Sequence, residues 1–323
     1  MIIYLDQNKW IDLAKAIINP RKNPKYVKAA NLVVKKIENS EWILPLSSMH
    51  VFETSSRAEK ESRKRLVNVM AKISNGYSIK SFLDIQKIEL MNIFLNICNP
   101  EKIQKIEAVV KNPLVAIGLE KMIIDSKTDL IPENIKQQLS SIITTHLNDT
   151  ISDKVISNIL LDNYDKNFVE GFRNDDTIMT ELFETNRENL LKLPKQHRYK
   201  IFLIKRFWGI INELNININE LCKNKEKYLL STLEDKNNII KLLEGAPSFN
   251  VSTKLTYELL KDKERPIQKH DNRDINFLTT ALPYSDVIIT ERTWKHLIVT
   301  NKLDNKYSTI VENDLNYLLN LDK

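Results

Sequence analysis

Glycine is scarce in this chain. Of 323 residues only five are glycine, at positions 76, 118, 171, 209 and 245, where average usage of roughly 7% would give about twenty-three. No two stand close together, and phosphate loops of the GxGxxG or GxxxxGK[ST] kind need clustered glycines to bring backbone against phosphate. Those nucleotide-binding classes are excluded. Cysteine is scarcer still. Cys98 and Cys222 form no CxxC or Cys/His spacing, which predicts neither a structural zinc site nor a disulfide framework. No apolar run approaches the roughly 18 residues of a membrane span. The opening residues, Met-Ile-Ile-Tyr-Leu-Asp, lack the basic start and apolar stretch of a secretory signal. The expectation is a cytoplasmic protein with no membrane contact.

The chain does carry 48 basic and 42 acidic residues, a net charge of +6, with 42% hydrophobic residues. That is a globular composition with enough apolar material for a core. The basic excess suits nucleic acid without requiring it. Strand signals gather at the two ends: short apolar runs at 2–5 and 42–46, then at 287–290 and 308–311, each beside a helical pattern such as 26–37. Strands alternating with helices imply crossover connections and a parallel sheet. From 58 to 250 apolar residues recur at three and four spacing, as in 82–97, 135–147, 151–161, 201–214 and 229–243. No strand and no fixed-period repeat is evident there. The expected architecture is an α/β domain built from 1–57 and 251–323, about 130 residues in all, with an all-helical insertion over 58–250.

Four acids fall at one edge of that frame. Asp6 follows the first strand, in Leu5-Asp6-Gln7-Asn8. Glu53 lies on the helix after the second strand, Asp274 opens a helix running to about Leu282 with Asp271 as its N-cap, and Glu291 follows the strand 287–290. In a parallel sheet all strand C-termini share one rim, and the ligand sites of open α/β sheets lie there. Carboxylates gathered at such a rim repel unless a cation neutralises them. Oxygen ligands without cysteine point to Mg²⁺ or Mn²⁺, which activate water and stabilise charge on a phosphate. A phosphatase of the DxDx type is excluded because residue 8 is Asn.

The segments IIYLDQNKWIDLA, SSMHVFE and HDNRDINFLTTALPYSDVIITE together resemble the PIN-domain nucleases. The resemblance covers only the chain ends. It implies a parallel-sheet α/β/α sandwich and metal-dependent hydrolysis of RNA, sometimes DNA. In that family one acid ends strand one, one sits on an early helix, one opens a late helix and one follows the next strand. Those positions are Asp6, Glu53, Asp274 and Glu291 here. Asn8 and Thr290 match positions that orient the acids, and Glu291 stands where the family commonly has Asp. The resemblance further implies an endoribonuclease of toxin or defence type, a protein partner that inhibits or activates it, and pairing with a second copy. The competing expectation is a PIN-like fold that has lost activity and serves as a binding module.

Each acid also has a plainer reading. Asp6 would serve as a helix cap, Glu53 as an i,i+4 partner of Arg57 on a solvated face, Asp274 as a complement to a helix dipole, and Glu291 as a surface residue. Asp271 is read both as an N-cap and as a further metal ligand. Asp286 starts its strand and so belongs to the opposite edge, in a structural role. His50 and His296 are isolated and receive no role. Two basic stretches bear on substrate. Residues 57–65 are net +3, and 192–206 carries Lys192, Lys195, Arg198, Lys200, Lys205 and Arg206 without an acid, beside Tyr199, Phe202, Phe207 and Trp208. A basic track with aromatics suits single-stranded RNA or DNA. Against this, Ile201, Ile204, Trp208 and Ile211 form an apolar stripe that reads as core with a solvated charged face.

Overall fold

A computed structural model describes residues 1–113, 115, 166–222 and 236–322. The helical patterns at 135–147 and 151–161, and the first part of that at 229–243, lie outside the described residues. In chain order the elements are β1 (Ile3–Leu5), α1 (Gln7–Ile18), α2 (Val27–Glu38), α3 (Ser48–Ser55), α4 (Lys60–Ser74), β2 (Ser78–Ile79), α5 (Phe82–Cys98) and β3 (Val109–Val110). After the undescribed stretch come α6 (Lys166–Lys192), α7 (Arg198–Glu213), α8 (Ile218–Leu221), α9 (Lys236–Glu244), α10 (Pro247–Lys261) and α11 (Asp271–Tyr284). The chain closes with β4 (Val287–Ile289), α12 (Arg292–Thr300), α13 (Leu303–Tyr307) and β5 (Ile310–Glu312). The protein is mixed α/β and mostly helical, with a parallel sheet of three strands ordered β1-β4-β5. Among the described residues no helix is long and apolar enough to cross a membrane.

The described chain divides into two compact units, 1–81 with 109–170 and 284–323, and 82–108 with 171–283. These limits differ from the boundaries expected at 57/58 and 250/251: α4 and β2 belong with the sheet, and α10 and most of α11 belong to the helical unit. The stretch read as wholly helical also contains the two-residue strands β2 and β3, which pair antiparallel.

In the first unit β1 and β4 pair in register, Ile3 with Val287 and Leu5 with Ile289, and β5 continues on the far side of β4. All residues of β1 and β4 are buried, as expected for short apolar strands covered on both faces. The run 42–46 does not become a strand. It contributes single parallel bridges, Ile2 to Ile43 and Leu46 to Ser78. The connection after β1 thus returns on one side of that strand, whereas the connection after β4 leads to β5 on the other. Trp10, Leu13 and Ala14 of α1 lie buried in a core shared with Leu44, Leu66, Met70 and Leu315, a stripe at helical spacing. Helix α4 ends on Asn75 and Gly76, both at positive φ, the left-handed turn that stops a helix.

The second unit packs α5, α7, α9 and α10 around Phe94, Phe207, Ile210, Ile211 and Phe249. The buried stripe of α7 is Leu203, Phe207, Ile210 and Ile211, which shares only Ile211 with the expected Ile201, Ile204, Trp208 and Ile211. Trp208 is 41% exposed. The cysteines correct a second expectation. Cys98 and Cys222 form a disulfide with Cα atoms 5.2 Å apart, bridging 124 positions. Folding brings the C-terminal end of α5 against the end of α8, a proximity that sequence spacing does not report.

Candidate active site

Both strand ends that flank the reversal of strand order carry an acid. Asp6 follows β1 and its N–H donates to Ile289 O at 3.0 Å, while the N–H of Thr290 after β4 donates to Glu312 O at 2.8 Å. The sheet ladder therefore continues one residue past β1 and holds the backbone of Asp6 beside the end of β4. Asp6 and Glu291 occupy the N-cap positions of α1 and α12 with extended backbone, and neither carboxylate makes a capping hydrogen bond.

The two loops brace each other crosswise. Asn8, from the β1 side, donates through Nδ2 to Glu291 Oε1 at 2.7 Å. Thr290, from the β4 side, donates through Oγ1 to Asp6 Oδ2 at 3.4 Å. Asp6 is buried, 5% exposed, whereas Glu291 is exposed. Burial first, and then the charge of Glu291, push the Asp6 carboxyl up to about 6 from an ordinary 3.8; the N–H groups of Asn8 and Gln7 and the charge of Lys9 only partly offset this. Asp6 forms no ion pair among the described residues.

Helix α3 is latched on both sides of Asp6. His50 bonds through Nε2 to Leu5 O at 2.8 Å, and Gln7 Nε2 donates to Thr54 Oγ1 at 2.9 Å. His50 Nδ1 accepts the Ser47 N–H at 3.0 Å, so the proton lies on Nε2, which donates to the carbonyl. Burial holds the imidazole neutral, its pKa lowered to about 4, and it stacks on Tyr4 at 5.1 Å. Glu53, between His50 and Thr54 in sequence, is half-buried on this helix. His50, Gln7 and Thr54 had no role in the sequence reading. The readable signal was Ser47-x-x-His50 at a helix start, a capping box with His where Glu or Gln is usual.

The remaining candidates lie in the second unit. Asp274 is half-buried on the first turn of α11. Asp271 does not precede that helix as an N-cap but begins it. Its oxygens accept from Arg265 at 2.8 and 2.6 Å and from the Gln268 N–H at 2.7 Å, which commits the carboxylate to a structural pair. Asp286, at the start of β4, accepts the Ile2 N–H at 2.6 Å and ties the opposite end of the sheet. Among the described residues no three His, Cys, Asp or Glu side chains converge to hold a metal.

Of the basic residues, Lys192, Lys195 and Lys205 are exposed and Lys200 half-buried. Arg198 is spent on the Leu193 and Leu191 carbonyls at 2.8 and 2.7 Å. Arg206 donates to Ser252 Oγ at 3.0 Å. In the first unit, Lys15, Arg57 and Arg65 line a cleft of about 300 Å³ between α1 and α4. Lys15 stands nine residues beyond Asp6, about 13 Å along the helix.

The pair Asp6 and Glu291 fits a hard divalent cation. Mg²⁺ takes one or two carboxylates and keeps several waters, and Gln7 Oε1, next in the chain, is a buried oxygen with no hydrogen-bond partner among the described residues. Compared with protein-family models, curated proteins and solved structures, the chain matches none.

Proposed function

We propose that this chain is a metal-dependent nuclease with a PIN-like fold, an endoribonuclease of toxin or defence type. Asp6 and Glu291 form its acidic centre; Glu53 and Asp274 enter the proposal through the resemblance alone. The observation that carries the reading is the placement of a buried carboxyl with a raised pKa beside a second carboxylate, outside the C-terminal ends of adjacent parallel strands where strand order reverses. Ligand sites of open α/β sheets lie in that crevice, and a strongly perturbed carboxyl in such a position is a mark of function.

In this reading Asp6 and Glu291 would hold Mg²⁺ or Mn²⁺, which would supply charge neutralisation on the phosphate and activation of water. Asn8 fixes the rotamer of Glu291 and Thr290 that of Asp6. The His50 latch fixes the end of β1 from which Asp6 projects. The basic cleft along α1 draws the phosphate backbone of single-stranded RNA or DNA toward the same helix whose start carries Asp6. A protein partner and a second copy of the chain remain part of the proposal through the resemblance alone.

One observation favours a second reading, a binding module without activity: no third acid joins Asp6 and Glu291 among the described residues. Labelled single-stranded RNA and DNA incubated with and without Mn²⁺, beside Asp6→Asn, separates the two. Metal-dependent cleavage lost in the variant is the expected result. Absence of cleavage together with absence of any Mn²⁺-induced rise in melting temperature establishes the binding module.

A further inference from the structure

The second unit contains a cavity of about 440 Å³ between α6, α7 and α10. That volume lies within the usual range for small-molecule sites. Its wall is mixed. Phe183 and Phe202 supply aromatic rings, Asn186 and Asn189 supply amides from one stretch of α6, and Lys205 and Arg206 supply positive charge.

Arg206 differs from the other arginines of this unit that are at least half-buried. Arg265 is bidentate on Asp271, and Arg273 is paired with Asp176. Arg187 is held by Glu184 and by the Leu259 and Arg265 carbonyls at 3.2 and 2.9 Å, and Arg198 by two carbonyls. Arg206 meets one neutral hydroxyl, that of Ser252. Burial lowers its pKa, and Glu213 only partly opposes the shift. Neither Arg206 nor Lys205 forms an ion pair among the described residues. A half-buried guanidinium without a carboxylate is costly unless an anion completes it, and its planar fork suits phosphate.

We propose that this cavity binds a nucleoside phosphate of mononucleotide size. Arg206 and Lys205 take the phosphate, Phe183 and Phe202 flank the base, and Asn186 and Asn189 bond its edge with amide groups that both donate and accept. The site lies wholly in the second unit and goes beyond the nuclease reading. Its test needs no cleavage, so either proposal can fail without the other.

The experiment is calorimetric titration of the full chain with AMP, ATP, inorganic phosphate and a single-stranded RNA oligonucleotide. Wild type is compared with Arg206→Ala, Lys205→Glu and Asp6→Asn. The expected result is saturable binding of AMP or ATP, tighter than inorganic phosphate. Affinity should fall about tenfold or more in both pocket variants and be unchanged in Asp6→Asn. Lys205 is exposed, so its variant keeps the test valid if Arg206→Ala fails to fold by circular dichroism. Three results overturn the proposal: no heat from either nucleotide, equal affinity in wild type and Lys205→Glu, or binding of the RNA oligonucleotide without mononucleotide binding. The last would make residues 192–206 an open nucleic-acid track instead.

Discussion

The two units treat buried acids in opposite ways. In the second, acids are matched: Asp271 by Arg265, Asp176 by Arg273, and Glu89 by the N–H groups that open α10, with Ser248 N at 2.8 Å and Ser248 Oγ at 2.6 Å. Glu89 thereby caps from outside a helix whose own N-cap, Ala246, has no side chain to do so. In the first unit Asp6 is equally buried but has a second carboxylate for a neighbour and no ion pair among the described residues, the charge of Lys9 only partly offsetting its burial. A matched buried acid holds structure together. An unmatched one destabilises the apo fold and persists where function requires it.

The largest expected effect lies at the unmatched pair. Asp6→Asn should lower metal-dependent cleavage about a thousandfold, the scale for losing a group aimed at developing charge, whereas Asp271→Asn should act through stability instead of chemistry. Rates measured at equal folded fraction check this. An equal loss of rate in both variants would erase the distinction between the units.

Next in size is the Cys98–Cys222 disulfide, whose two cysteines belong to the second unit and stand 124 positions apart. Reduction, or Cys98→Ser, should lower unfolding free energy by roughly 3–4 kcal/mol, while leaving the Mn²⁺ response of the first unit intact. Denaturant titration with and without reductant measures it, and mass spectrometry without reductant reports the bond itself.

The pH dependence sharpens the contrast inside the first unit. His50 has a folded pKa of about 4, below its ordinary 6.5, so its contribution is full above about pH 6.5 and is lost as pH falls toward 4. Asp6 has a folded pKa of about 6, above 3.8, so its contribution is present below 3.8 and is lost as pH rises through 6. Between pH 4 and 6 the two slopes oppose. Wild type should therefore show little net dependence from this pair. In Asp6→Asn the His50 slope should emerge as a loss of about 2 kcal/mol between pH 6.5 and 4.5. Urea unfolding at pH 4.5, 5.5 and 6.5 reads it directly.

The smallest effect concerns the cleft beside α1. Arg57→Glu with Arg65→Glu should weaken single-stranded RNA binding about tenfold at moderate salt and flatten its salt dependence. Anisotropy titrations at two salt concentrations test this. Unchanged affinity would remove the cleft from the substrate path.

Much of the acidic pair was legible in the sequence because strand ends are. A short apolar run followed by an acid sets β1 and Asp6 within a residue of the observed strand limits, and the same holds for β4 and Glu291. Asn8 and Thr290 fall beside those ends for the same reason. What depends on three-dimensional packing was not legible. The run 42–46 has strand composition but forms only single bridges. Asp274 shares a motif with Glu291 yet falls in the other unit. Arg206 looked like one of six surface charges, although it sits three residues after Leu203 and four before Ile210, on the buried face of α7. The cysteines, far apart in sequence, meet only because α5 and α8 end together.

The central claim is that Asp6 and Glu291 form a strained acidic centre completed by a divalent cation. Thermal unfolding of wild type and Asp6→Asn at pH 7.5, with and without millimolar Mn²⁺, tests it most directly. Without metal, Asp6→Asn should be the more stable protein by up to about 3 kcal/mol, because ionising a carboxyl held near pH 6 costs the fold. Mn²⁺ should raise the melting temperature of wild type and leave that of Asp6→Asn unmoved. A variant less stable than wild type, or an equal Mn²⁺ shift in both, would contradict the account.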